Sequence, residues 1–282
     1  MTPLLPYVQI GEWVLLDAHA LGAGLPPAPL SIKPFGTLVA IGVYLGAILA
    51  VRQGRRLGFD EKTLVRFMMW IVAGGFLGGH VFDTLFYFPQ RVLADPLSLL
   101  RLWEGLSSFG GFLGAFLGAL AFRARFGGPT LPYMDVVASA FPTAWVFGRA
   151  GCSVAHDHPG VFSESWLAVP YPEGARFDLG ILEMLWAVAL ALVFLRLRRR
   201  PRPWGFYLGT MCLSYAPFRF TLDFLRARDL RISDERYFDL TPAQWASVAL
   251  AVVAVVVLRQ ALRSADQSAR FAVPSPPVVP PA

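Results

Sequence analysis

The stretch GRAGCSVAHDHPG, Gly148 to Gly160, gathers an arginine, a cysteine, two histidines and an aspartate at the end of the apolar run VVASAFPTAWVF. A guanidinium stays charged and takes phosphate oxygens in a planar, two-pronged grip. A histidine gives or takes a proton near neutrality, and an adjacent carboxylate orients the ring or acts as base. Arg149 therefore suits a phosphate, and His156 with Asp157 suits proton handling, with His158 as a second histidine for that work. A solvated polar loop is the plainer reading of the same three residues. Zinc sites take three or four ligands and two histidines do not supply them, so no metal and no other cofactor is expected. Cys152 has the atom type of a nucleophile, but nothing beside it in sequence favours the thiolate, and a small packing residue explains it as well.

Further ions lie inside apolar runs. Arg219 and Asp223 occur in YAPFRFTLDFLR, Glu183 in FDLGILEMLW, and His80 and Asp83 in GGHVFD. In hydrocarbon a central Arg or Asp costs about 2.5–3.5 kcal/mol on insertion scales, so each needs a partner or a polar cavity. Arg219 and Asp223 are four apart and Asp223 and Arg226 three apart, so mutual pairing answers part of the question. Arg149 has no acid one helical turn back. Most of these ions sit toward one end of their runs, which suggests a cavity opening beneath the lipid headgroups and an anionic phospholipid as its ligand.

The elements that must position these groups are membrane helices. The chain has 282 residues, 55% of them hydrophobic and only 16% charged, and its mean hydropathy is +0.52. A bilayer core needs about 20 apolar residues per helix. Runs of that kind recur, and the expected spans are residues 35–51, 64–86, 109–122, 132–147, 179–195, 206–224 and 242–258. They are too continuous for the alternating strands of a barrel. The fold class is all-α, a polytopic integral membrane protein of about seven helices. Arg52, Arg55, Arg56, Lys62, Arg66, Arg123, Arg125, Arg196, Arg198, Arg199, Arg200, Arg202, Arg259, Arg263 and Arg270 collect on one side, which is then cytoplasmic, with the amino terminus outside and the carboxyl terminus inside. The net charge of +6 reflects this topology, and no nucleic-acid partner is expected.

The domains read as an exported arm at 1–34, a seven-helix body at 35–258 and a cytoplasmic proline-rich tail, disordered, at 259–282. No cleavable signal peptide is expected, since the first basic residue is Lys33. A short interfacial helix is expected near residues 10–16. Cys152 and Cys212 are the two cysteines, too few for a disulfide framework. Gly74 and Gly78, Gly75 and Gly79, and Gly110, Gly114 and Gly118 recur every fourth residue in the second and third spans. Such faces allow close backbone approach, and a thin wall beside a lipid is the alternative use.

The stretch at 148–160 resembles the signature of the bacterial prolipoprotein diacylglyceryl transferase family. LSSFGGFLG resembles its His-Gly-Gly segment, GGFLGGHVFDTLFY its Gly-Gly-Arg segment, FDLGILE its segment ending in a glutamate, and FRFTLDFLRARD its Arg-x-x-x-Glu-x-x-Arg segment. The likeness runs in matching order from about residue 33 to 258. Arg149, Gly151, Gly160, Glu183, Arg219 and Arg226 keep the family's residue types. The signature asparagines fall on Cys152 and Ala155, the signature glutamate on Asp157, the His-Gly-Gly histidine on Phe109 before Gly110 and Gly111, the Gly-Gly-Arg arginine on His80, the first-helix tyrosine on Phe35 and the sixth-helix glutamate on Asp223. The resemblance implies a bacterial inner-membrane enzyme that moves the diacylglyceryl group of phosphatidylglycerol onto the lipobox cysteine in a prolipoprotein signal peptide. It assigns Arg149 and Arg219 to the phosphate, His156, Asp157 and His158 to proton handling, and Arg226, Glu183, Asp223, His80, Gly110, Gly111 and Gly151 to the shape of a pocket among membrane lipids. Two other readings remain open: a lipid-modifying enzyme with another acceptor or headgroup, and a lipid-binding protein without chemistry.

Overall fold

The computed structural model describes residues 3–16, 30–87, 89–101, 105–230 and 236–263. Each expected span falls on a long helix: α1 (Pro34–Arg56), α2 (Glu61–Phe82), α4 (Ser108–Phe126), α5 (Leu131–Ala155), α6 (Leu179–Leu197), α7 (Phe206–Leu222) and α8 (Pro242–Arg263), with the short α3 (Pro89–Ala94) between α2 and α4. α1, α2, α4, α6 and α8 are long and apolar enough to cross a bilayer. The chain is a polytopic, predominantly helical membrane protein. Exposed Met69, Leu117, Val252 and Val253 on these helices suit hydrocarbon, where apolar side chains need no protein cover.

Helix ends differ from the sequence expectation in one informative place. α5 was expected to stop at 147 and continues to Ala155, so the signature stretch begins as helix rather than loop. Its end comes at His156, whose φ of 50° is the left-handed turn that closes many helices. The helix expected near residues 10–16 is replaced by β1 (Trp13–Leu16), paired antiparallel with β2 (Leu30–Ile32). Seven residues around Gly11 are too few to hold a helix alone, since isolated helices shorter than about 12–15 residues are marginal. Pairing satisfies the backbone instead, and Glu12 ties the two strands by accepting from Ser31 Oγ at 2.7 Å and meeting Lys33 at 3.4 Å. Residues beyond 263, including most of the expected tail, lie outside the described residues.

The chain divides into two compact units, residues 1–46, 140–197 and 221–233 in the first, and residues 47–139, 198–220 and 234–282 in the second. The first unit holds the later turns of α5, α6 and a small antiparallel sheet that hydropathy does not announce. Its strands are β3 (Pro159–Phe162), β4 (Ala168–Tyr171) and β5 (Gly174–Asp178), in the order β3-β5-β4. Gly42 allows α1 to meet α5: a Cβ there would lie 2.7 Å from the Ala144 carbonyl oxygen.

The second unit is built on α2 against α4. A Cβ on Gly78 would stand 2.6 Å from both the Gly110 carbonyl oxygen and the Gly114 Cα. The four-residue glycine spacing is thus used for backbone-to-backbone packing. Phe67, Phe122 and Tyr133 are buried beside it, with Phe67 edge-on to Phe122 at 5.2 Å. α2 starts at Asp60, whose carboxylate accepts from Thr63 N and Thr63 Oγ1 at 2.8 and 2.7 Å. Asp135, buried on α5, accepts from Leu208 N at 2.8 Å and so caps α7 from a neighbouring helix.

Candidate active site

In the first unit, the last turns of α5 face the start of α6. Arg149 Nε lies 2.9 Å from Glu183 Oε1, and the side chains are 5% and 2% exposed. Trp145, one turn before Arg149, donates from Nε1 to the same oxygen at 3.1 Å. The guanidinium lies over the Trp145 ring, 4.7 Å from its centroid. Arg149 Nη1 also reaches Cys152 Sγ at 3.7 Å. The acid that Arg149 lacks one helical turn back is therefore supplied by α6. Glu183 is thus the buried counter-ion of Arg149.

The two histidines separate. The sequence pairs His156 with Asp157, but the left-handed turn at His156 sends its ring the other way. His156 Nδ1 lies 2.7 Å from Asp178 Oδ2 and Nε2 lies 3.1 Å from the Val8 carbonyl oxygen. Each ring nitrogen thus faces an acceptor oxygen. Tyr7 stacks on the ring at 4.0 Å and 9°, and Tyr171 meets it edge-on at 5.3 Å. Tyr171 Oη donates to Asp178 at 2.8 Å. Burial first, and then the Asp178 carboxylate, push the Tyr171 phenol upward from its ordinary range. Asp157 instead pairs with His158, Oδ1 to Nδ1 at 2.5 Å, and this pair is open, 42% and 28% exposed. The His156 side chain is thus buried against Asp178, and Asp157–His158 is the accessible pair.

Gly151 and Gly160 serve close approach. A Cβ on Gly151 would lie 2.9 Å from Phe35, and one on Gly160 would lie 2.7 Å from the Leu225 carbonyl oxygen. That second contact marks where the segment after α7 joins the sheet. Arg226 forms a β-bridge with Gly160, and its Nε donates to the fully buried Asp223 at 3.2 Å. Asp223 thereby takes one of the two partners its spacing allowed. Arg176 extends the seam. It donates to the Gly160 carbonyl at 3.1 Å, grips Asp229 through both Nη atoms, and lies over the Phe162 ring. The Arg176 guanidinium holds the Asp229 carboxyl below the usual carboxylate range.

The second unit carries the other expected residues. Arg219 is buried on α7. His80 is fully buried, with Nε2 3.2 Å from the Ser98 carbonyl oxygen and Nδ1 3.4 Å from that of Gly105. Both contacts fall on the chain between α3 and α4. Gly110 packs on Phe82 and Gly78, and Gly111 approaches Gly75, so these two glycines serve the α2–α4 contact. Asp178, Tyr171, Tyr7, Arg176 and Asp229 were not singled out in the sequence. Asp178 had a signal there: it directly precedes the apolar run of α6 as an N-cap, and it accepts from Ile181 N at 3.0 Å.

One further group of ligand-type side chains is close together. Donor atoms of Cys152, Asp157 and His158 lie within 4.8 Å of one another.

The model of the prolipoprotein diacylglyceryl transferase family matches residues 25–259. The chain belongs to that family. It is similar to the phosphatidylglycerol--prolipoprotein diacylglyceryl transferase of Pseudomonas aeruginosa strain UCBPP-PA14, at 28% identity over 92% of this chain and 97% of that one. It is similar to the protein of the same name from Chromohalobacter salexigens, at 29% over 91% and 96%. A third, from Pseudomonas fluorescens, is 30% identical over 81% of this chain and 84% of its own length. As a family member, this transferase-type chain carries the match through both the α5 terminus and the glycine-packed helices, which is where the ions and close backbone contacts described above are found.

Proposed function

We propose that this chain moves the diacylglyceryl group of phosphatidylglycerol onto the lipobox cysteine of a prolipoprotein. The setting is the bacterial inner membrane, with the amino-terminal arm on the outer side and the arginine-rich loops in the cytoplasm. In the reaction the acceptor sulfur attacks the glyceryl carbon that bears the phosphate ester. A C–S bond forms, the C–O bond breaks, and glycerol phosphate leaves with the electron pair. The acceptor's proton must depart first, because the thiolate is the nucleophile and a free thiol ionises near pH 8.5.

The observation that carries this reading is the buried Arg149–Glu183 pair over Trp145. A guanidinium fixed in a low-dielectric site, already oriented, holds the growing charge of a leaving phosphate without reorganising during the reaction. Arg149 is the phosphate residue in this proposal, with Glu183 and Trp145 setting its plane. The acceptor thiol meets the chain at the exposed Asp157–His158 pair. His156 and Asp178 hold the turn that presents that pair. Arg219 carries the phosphate assignment on sequence grounds, and each arginine is tested by itself.

The test is transfer of diacylglycerol from phosphatidylglycerol vesicles to a lipobox peptide by the purified chain. Arg149→Ala and Arg219→Ala are each expected to abolish it. An unchanged rate in Arg149→Ala removes the phosphate assignment. A wild-type chain that binds phosphatidylglycerol and transfers nothing removes the enzyme reading.

A further inference from the structure

The sequence offers two histidines as metal ligands. The structure rejects that pair and supplies another set. His156 is committed at both ring nitrogens, to Asp178 and to the Val8 carbonyl. His158 instead stands with Asp157 and Cys152, their donor atoms within 4.8 Å of one another. We propose that Cys152, Asp157 and His158 bind one divalent ion of the zinc class, leaving one coordination position for a thiolate.

The ligand types are those zinc selects: a sulfur, an imidazole nitrogen and a carboxylate oxygen. Around a tetrahedral ion with bonds of about 2.0–2.3 Å, neighbouring donors stand about 3.3–3.8 Å apart, so the His158–Asp157 contact of 2.5 Å must open and the wider spacings, up to 4.8 Å, must close, each by side-chain rotation of the order of 1 Å. The backbone is already in place. Cys152 lies in the last turn of α5, and the left-handed residue His156 brings positions 157 and 158 back beside it. The His158 carbonyl accepts from Leu179 N at 3.0 Å, and Pro159 pairs with Asp178, so the stretch is held between α6 and the sheet.

Charge is also arranged for the ion. Cys152 and Asp157 as anions, with a neutral His158, balance two positive charges. Binding displaces the thiol proton of Cys152 to water, and the neutral His158 keeps its one N–H on the ring nitrogen that does not ligate. The Arg149 N–H at 3.7 Å from Cys152 Sγ then acts as the donor that metal thiolates commonly accept from outside the ligand set. Its positive charge is in turn met by Glu183. Cys152 is buried, while Asp157 is exposed, so the fourth position faces outward. A thiol that coordinates there loses its proton outright.

The metal half of this proposal stands apart from the transfer reaction. The thiolate half rests on it. The metal-stripped full chain in detergent is titrated with Co2+, which reports ligand number and sulfur ligation by its visible and near-ultraviolet bands. One equivalent is expected, with four-coordinate bands and a sulfur-to-cobalt band that Zn2+ abolishes. C152S loses the sulfur band and weakens binding by about tenfold or more, while C212S keeps both. H158A also weakens binding. Absence of cobalt uptake in wild type, or an unchanged sulfur band in C152S, overturns the site. A peptide with one lipobox cysteine strengthens the sulfur band and its serine counterpart does not. Equal responses to the two peptides overturn the open position. Uptake is read without turnover, so its failure leaves the transferase reading standing, and failed transfer leaves the metal site standing.

Discussion

Arg149 on α5 and Glu183 on α6 form a buried ion pair at 2.9 Å, with Trp145 hydrogen-bonded to the same carboxylate oxygen. Removing one member of such a pair leaves a charge without its counter-ion and typically costs about 3–5 kcal/mol. Glu183→Ala is therefore expected to destabilise the chain by about that amount. Arg149→Met with Glu183→Leu is expected to cost less than the sum of the single changes, because no charge is stranded. Denaturant unfolding in detergent measures both. Activity separates the roles: the double variant regains stability but transfers no diacylglycerol, and Arg149→Lys, which lacks the planar fork, also falls by about tenfold or more.

His156 is expected to act through position. Asp178→Asn removes the charge from its Nδ1 partner and weakens a charge-assisted bond of about 1.5–3 kcal/mol. Because Tyr7 stacks on the ring and Val8 accepts from it, this change also frees the amino-terminal arm. Hydrogen exchange at residues 7–10 is expected to rise in Asp178→Asn and in His156→Ala. Unchanged exchange in both would show that the arm is held by other contacts.

The long apolar helices, the glycine faces and the polar residues at the end of α5 were legible in sequence because hydropathy and residue type report them directly. What the sequence withheld is which partner each charge takes. Glu183 reaches Arg149 from another helix, and no spacing rule relates positions 149 and 183. The His156–Asp157 pairing failed for a local reason, since a left-handed residue at 156 separates ring 156 from carboxylate 157. The sheet was missed because β3, β4 and β5 are only four or five residues each and lie between two strongly apolar helices. β1 was read as a helix because its apolar run is as short as one amphipathic turn and its partner lies beyond a proline-rich segment.

The seam between β3 and the segment after α7 is expected to depend on pH. Asp229 has its carboxyl depressed by Arg176, so the tie contributes fully above the ordinary Asp value of about 3.9 and is lost as pH falls through the lower folded value. Arg176, raised mainly by its bond to Asp229, stays charged throughout. Protection of the amides at residues 226–229, taken relative to the intrinsic exchange rate at each pH, is expected to be flat from neutrality down to about pH 4 and to fall below it. Asp229→Asn shows the lowered protection at neutral pH and no further step at low pH. A step that persists in Asp229→Asn would assign it to another carboxylate.

The α2–α4 contact gives a sharp contrast between neighbouring glycines. Gly78→Ala drives a methyl group to 2.6 Å from the Gly110 carbonyl oxygen and the Gly114 Cα, with backbone on both sides and nothing flexible to yield. The helices must separate, and overpacking of this kind costs typically about 1–3 kcal/mol or more. At Gly111 the nearest atom to an added methyl group is the Gly75 carbonyl oxygen at 3.7 Å, an ordinary contact. Gly111→Ala is therefore expected to be neutral or slightly stabilising, since alanine also favours the helix by up to about 1 kcal/mol. Thermal unfolding of the two variants in the same detergent reads the difference directly. If glycine at 111 were instead required to leave room for a lipid, Gly111→Ala would retain its stability and lose transfer; equal transfer by Gly111→Ala and wild type assigns that position to helix packing.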